Sequence, residues 1–218
     1  MNTTLLRDPR AYAVQPEPAG PDHELGDMPE WDLTDLYAGT DDKKLNGDLA
    51  KADADAKAFS KRYQGKLAKL AEEGGTTLAE SLRDYEAMSD SLGRIGSFAG
   101  LLYAADTSDP AVAKFYGDIQ EKLTAISTAL LFYTLEFNRI DEKVLEKALR
   151  NEDLAHYRPW IEDLRKERPY QLADDIEKLF HEKSVTGRGA WNRLFNESMK
   201  GLRLDKGGTT LSRKQSRK

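Results

Sequence analysis

The stretch "DPAVAKFYGDIQEKLTAISTALLFYTLEFN", residues 109–138, decides the fold class. It opens on Asp109-Pro110, a residue suited to cap a helix followed by Pro at the first helical position. Val112, Phe115, Tyr116, Ile119, Leu123, Ile126 and Leu130 then recur three or four residues apart. That is the spacing of one helix face, not the alternation of a strand. The pattern predicts one helix to about Asn138, about 45 Å long at 1.5 Å per residue.

The same spacing extends both ways. Upstream, "GGTTLAE" (74–80) introduces a second long helix with Leu78, Leu82, Tyr85, Leu92, Ile95 and Leu102 on one face. Thr77 and Glu80 stand at capping-box spacing at its start. Before it, a helix is expected from about Asp41 to Leu70, capped by Thr40 or Asp41 and weakened by Gly47 and Gly65. Downstream, shorter helices are expected over about 141–150, 152–166 and 170–184, with Pro159 kinking or starting one. "TGRG" (186–189) reads as a turn, and a last helix carries Trp191, Leu194, Phe195 and Met199 to near Gly201. The expected fold is all-α, built of long antiparallel helices. "LRLD" and "TTLS" around "KGG" then read as the start of a β-hairpin over 202–211. It would need a cover for Leu202, Leu204 and Leu211. Residues 1–27, with four Pro and few apolar residues, read as a disordered leader, and 212–218 as a basic tail.

The composition narrows the function. The 218 residues hold 33% charged side chains and a net charge of -5, which argues against nucleic acid as a partner. No Cys is present, so disulfides, thiolate metal sites and cysteine nucleophiles are excluded, and a reducing cytoplasm is the expected compartment. No apolar run is long enough to span a membrane. The first residues lack a signal peptide's apolar stretch and are too acidic for a transit peptide.

Each candidate for chemistry has a plainer reading beside it. "HEKSV" (181–185) begins like the H-E-x-x-H helix of zinc peptidases, but position 185 is Val, so the two-turn zinc clamp is absent. A surface or helix-packing role fits His181 and Glu182. The other histidines, His23 and His156, stand in no ligand spacing. Asp41-Asp42 and Asp174-Asp175 are adjacent, and neighbours on a helix point in different directions, so they read as helix-start charges. "TGRG" lacks the strand and the Lys-Ser/Thr of a phosphate loop and reads as structural. Gly93, Gly96 and Gly100 suggest close helix packing. Trp31, Trp160 and Trp191 read as core anchors. Arg213, Lys214, Arg217 and Lys218 read as a solvated tail, with no aromatic platform for nucleic acid beside them. No catalytic or metal-ligating residue is assigned, and substrate-binding residues stay unassigned.

Several stretches together resemble the N-terminal region of oligoendopeptidase F, in the thimet-oligopeptidase-like zinc peptidases. They are "MPEWDLTDLYAG" (28–39), "FSKRYQGKLAKL" (59–70), "SFAGLLYAADTSDP" (97–110), "HYRPWIEDLRKERPYQL" (156–172) and "EKLFHEKSVTGRGAWNRLFNESM" (177–199). The last is the most specific. It aligns "HEKSV" with the family's Glu-Lys-Ser-x-Thr-Gly segment, which is not the zinc helix. The resemblance covers about 28–211. It implies a zincin-type oligopeptidase that cuts short peptides with zinc, and whose N-terminal helices form one wall of the substrate channel. It also implies that the H-E-x-x-H helix and a Glu ligand lie downstream, at no position matched here. The chain is therefore expected to be an inactive front part, with oligopeptides and the catalytic domain as partners. "SRKQSRK" (212–218) departs from the family's pattern, as a frameshift or early stop would make it. The alternative expectation is a non-enzymatic helical module that binds peptides or a protein partner.

Overall fold

A computed structural model describes residues 31–107, 109–201, 203–206 and 209–212. Residues 32–202 make one compact helical unit. Its main helices are α1 (Lys43–Tyr63), α2 (Leu67–Glu72), α3 (Thr76–Ala105), α4 (Pro110–Thr128) and α5 (Leu131–Arg139). Then come α6 (Glu142–Ala148), α7 (Glu152–Ala155), α8 (Arg158–Lys166), α9 (Asp174–Lys183) and α10 (Ala190–Gly201). Outside this unit, β1 (Arg203–Lys206) and β2 (Thr209–Ser212) pair antiparallel, with Leu204 opposite Leu211.

The expected helix periodicity is the one that packs. Along α1, Leu45, Leu49, Ala52, Ala56, Phe59 and Tyr63 are buried at alternating spacings of three and four, which is one helix face. That face meets α3, and α3 also packs against α4. The core centres on Tyr133, fully buried on α5. Tyr85 stacks on it at 4.7 Å, Phe59 meets it edge-on at 5.1 Å, and Phe137 lies at 5.9 Å. Each offset or edge-on pair adds about 0.5–1.5 kcal/mol beyond its buried area. The Tyr133 hydroxyl is satisfied by Ser81 Oγ at 2.8 Å. Tyr37 and Tyr63, both buried, donate to Asp48 and Asp84, which fixes their rings and satisfies their hydroxyls.

Several helix boundaries differ from the sequence expectation, each for a local reason. The predicted helix 41–70 is two helices. Gly65 takes φ +77°, and its N–H donates to Glu136 Oε1 on α5, so the chain turns there. The N-cap is Asp42, accepting from Lys44 N at 2.7 Å, rather than Thr40 or Asp41. The Thr77–Glu80 capping box does not form. Helix α3 starts earlier, after Gly75 at φ +89°, and Glu80 lies 3.7 Å from Arg62 instead.

The predicted helix 110–138 breaks between Thr128 and Leu131. Ser127 Oγ and Thr128 Oγ1 both donate to the Thr124 carbonyl, which competes with the backbone ladder at the break. The start behaves as read: Asp109 accepts from Ala111 N and Val112 N, with Pro110 in the first turn. Pro159 starts α8 rather than kinking a longer helix. Arg165, its side chain largely buried, then ties α8 to the end of α5 through the Phe137 and Ile140 carbonyls.

Of the three α3 glycines, only Gly96 makes the close approach expected of them. A Cβ there would meet Leu123 at 3.4 Å, while Gly93 and Gly100 face open space.

Candidate functional site

The segment 168–201 is unlike the rest of the unit. It begins with a short 3-10 turn (Arg168–Tyr170), after which Gln171 Nε2 donates to the Leu135 carbonyl. Helix α9 follows and packs on α4 and α5. Its N-terminus is held by a two-pronged contact of Arg139 with Asp174. That guanidinium pulls the Asp174 carboxyl below its usual range. Farther along, His181 Nε2 lies 2.8 Å from Ser127 Oγ on α4. The side chains of α9 that turn inward are thus polar: Glu177 and His181 are half-buried, while Ile176, Leu179 and Phe180 are exposed. The apolar stripe of this amphipathic helix points away from the core, the reverse of an ordinary surface helix.

"VTGRG" (185–189) is a kinked junction between α9 and α10, with Gly187 off helical backbone at φ -93°, ψ -106°; across it Gly189 N–H donates to Ser184 O at 2.8 Å and Ala190 N–H to Gly187 O. A Cβ on Gly189 would stand 3.1 Å from that same carbonyl, so glycine suits the turn. Helix α10 follows and repeats the inversion: Trp191, Leu194 and Phe195, at i, i+3 and i+4, are 71%, 51% and 64% exposed. Arg193, on another side, reaches back to Gly117 of α4, where a Cβ would sit 3.4 Å from its Nη1. The nearby Tyr103 hydroxyl is buried, and burial with the neighbouring Glu197 pushes its pKa up.

His181 also closes a cleft of about 280 Å³ lined by Tyr85, Ser89, Leu92, Leu130, Leu131 and Thr134. A Ser beside a His invites a nucleophile–base reading. The geometry favours a helix clasp. The Ser127 hydroxyl has one proton and lies within bonding distance of both Thr124 O and His181 Nε2. Both contacts are made together only when Nε2–H donates to Ser127 Oγ, and in that tautomer the nitrogen cannot take a proton from Ser127.

The remaining candidates resolve as follows. Among the described residues, no group of three or more His, Asp or Glu could hold a metal ion. The described residues therefore do not fit zinc. Glu182 pairs with Lys178, and His156 packs edge-on against Tyr157. Asp42 and Asp174 serve helix starts. Within "TGRG" the Gly189 amide is spent in the turn, as is that of Ala190 just after it, so neither of these two donors is left for an anion. Trp160 packs against the core as expected. Trp31 and Trp191 do not: they are exposed, at 80% and 71%, which corrects their reading as core anchors. The stripe in the sequence gave no sign of which side of α10 faces the core. His23, the side chains of Leu202, Leu204 and Leu211, and the basic tail 212–218 fall beyond what the described residues cover, as does the leader 1–27, apart from the strand residue Ser212. No described helix is long and apolar enough to cross a membrane.

Comparison with known proteins points to the same segment. The family described as oligopeptidase F matches residues 136–203, from α5 to the start of β1. The chain is similar to oligopeptidase PepF of Bacillus subtilis (strain 168), with 30% identity over 128 residues. That match takes in 56% of this chain and 18% of the relative, so it spans less than a fifth of the relative's length. No solved structure matches. The chain thus carries an oligopeptidase F-like N-terminal region, whose most distinctive feature is a pair of helices with outward apolar stripes.

Proposed function

We propose that this chain is the N-terminal helical part of an oligopeptidase F-like zinc metallopeptidase that hydrolyses short peptides. In this reading, residues 28–201 form one wall of the substrate channel, and 202–211 lead on toward a catalytic domain that supplies the zinc ligands. The chain alone then has no hydrolytic activity.

One observation carries the reading. The family match runs from α5 to the start of β1 and includes α9 and α10, the helices whose apolar stripes are left open. Helices with this pattern need a cover that the described residues do not supply. A longer peptidase chain would provide one. The same open face also supports the second reading, a helical module that binds peptides or a protein partner without cleaving them.

The test mixes the purified chain with the part of Bacillus subtilis oligopeptidase PepF that this chain does not match. The proposal expects a stable complex and restored, chelator-sensitive cleavage of a fluorogenic oligopeptide. Phe195→Glu should weaken the complex at least tenfold. If the PepF portion is folded, holds zinc and neither binds nor responds to the chain, the proposal is wrong.

A further inference from the structure

We propose that the cleft between α3, the α4–α5 break and α9 binds a small uncharged aromatic group that carries one O–H or N–H donor, such as a phenol or an indole. The inference rests on the cleft and not on the peptidase reading.

Four helices shape the cleft. Tyr85, Ser89 and Leu92 stand at i, i+4 and i+7 on α3 and so share one face. Ser127 lies in the last turn of α4, and Leu130, Leu131 and Thr134 follow where that helix gives way to α5. His181 closes the cleft from α9, held at 2.8 Å from Ser127 Oγ. Ser89 is exposed, so the cleft reaches solvent on its side.

Size and lining select a ring. The cleft holds about 280 Å³. An apolar cavity of about 150 Å³ takes a benzene ring, so there is room here for a ring with a substituent or for two fused rings. Leu92, Leu130 and Leu131 supply apolar surface. Tyr85 supplies an aromatic wall, held rigid by its stack on the buried Tyr133 at 4.7 Å. A flat ring gains an offset or edge-on contact with such a wall beyond its buried area.

The polar groups select the substituent. Among the described lining residues none is Asp, Glu, Lys or Arg. A carboxylate or an ammonium would therefore give up hydration with no counter-charge of that kind in reach. Ser127 gives its proton to the Thr124 carbonyl and receives one from His181, so it is fully used. Thr134 gives its proton to the Leu131 carbonyl at 3.2 Å, and what its Oγ1 still offers is lone pairs. Tyr85 and Ser89 bond through their hydroxyls. A ring that brings its own donor can complete Thr134, and a bare ring cannot. Phenol and indole meet both demands, as free small molecules or as the Tyr and Trp side chains of a peptide.

The experiment is an amide NMR titration of the full 218-residue chain with phenol, indole, benzene, benzoate and an end-capped Gly-Tyr-Gly peptide. Phenol and indole should give saturable shifts at Ser127, Leu130, Leu131, Thr134 and His181, with Kd on the order of 1 mM for ligands of this size. Benzene should bind there about threefold to tenfold more weakly, as the loss of one hydrogen bond requires, and benzoate should not bind. Thr134→Val keeps the shape and should bring phenol down to the affinity of benzene. Leu92→Trp fills the cleft and should abolish binding with an unchanged far-UV circular dichroism spectrum. If the capped peptide moves the same amides, the cleft takes a peptide side chain; if only the free rings do, it takes a free aromatic molecule. No saturable shift up to about 10 mM phenol or indole, ten times that Kd, overturns the proposal. Benzene or benzoate binding as tightly as phenol overturns it too, as does phenol binding that survives both substitutions.

Discussion

Replacing Gly75 with alanine should be among the most damaging single changes in the helical unit. Gly75 caps α3 with φ +89°, a backbone region that L-residues rarely adopt. Alanine there costs about 1–2 kcal/mol in conformation alone. The position is also closed: an added Cβ would stand 2.5 Å from Ala148 O, 3.1 Å from its carbonyl carbon and 3.3 Å from its Cα. All three are backbone atoms at the end of α6, so no side chain can rotate away. Forcing α3 and α6 apart adds about 1–3 kcal/mol, and it strains the nearby Asn151–Thr76 hydrogen bond. The total is about 2–5 kcal/mol. Gly65→Ala supplies the control, because Gly65 has φ +77° but nothing within 4 Å of its Cβ position. Only the conformational part, about 1–2 kcal/mol, applies to it. Urea unfolding followed by circular dichroism measures both, and a slope of about 1–3 kcal/mol per molar converts midpoints into energies. The extra cost of about 1–3 kcal/mol, at a slope of about 2 kcal/mol per molar, should lower the Gly75→Ala midpoint by about 0.5–1.5 M urea more than that of Gly65→Ala. Equal losses in the two variants would refute the close α3–α6 contact.

Three further outcomes follow from individual groups. Burial, with Asp48 adding to it, pushes the Tyr37 phenol up to about 12, and burial pushes Tyr63 and Tyr133 up as well. Because the folded state favours the neutral phenol, this stabilisation is intact below the unfolded value near 10 and is lost as pH rises through 12. Phenolate absorbance should therefore rise in two stages, the second coinciding with unfolding; a single stage near pH 10 in the folded chain would contradict it. Ser127→Ala removes the clasp on His181 and should cost about 1 kcal/mol, with amide exchange accelerated in α9 but not in α3. Asp109→Ala deletes the α4 cap and should cost about 1 kcal/mol, read as a lower urea midpoint; an unchanged midpoint would mean the cap is not formed in solution.

How far the sequence carries can be judged at particular residues. Asp109-Pro110 and the stripe behind it identify α4 because cap, proline and periodicity all act within one turn of the chain. The break at 129–130 is hidden in the same stretch, since Leu130 and Leu131 fit a continuing helix equally well. At the break two hydroxyls turn on the Thr124 carbonyl, a rival set of hydrogen bonds that spacing does not reveal. Thr77 and Glu80 had the right separation for a capping box, but the left-handed Gly75 starts the helix before them. The candidate face shows the same limit. Trp191, Leu194 and Phe195 are legible as an amphipathic stripe, yet a stripe does not say whether its cover lies within the same unit. The Ser127–His181 clasp joins residues 54 positions apart and leaves no local trace. The H-E-x-x-H reading of "HEKSV" fails on the sequence itself, because that motif needs a second His where Val185 stands.

The central claim is that this helical region supports peptide hydrolysis without containing its chemistry. The most direct measurement is zinc content and oligopeptide cleavage for the purified 218-residue chain, with and without added zinc. The account predicts no stoichiometric zinc and no cleavage above the buffer rate. Cleavage by the chain alone that a chelator abolishes and zinc restores would contradict it.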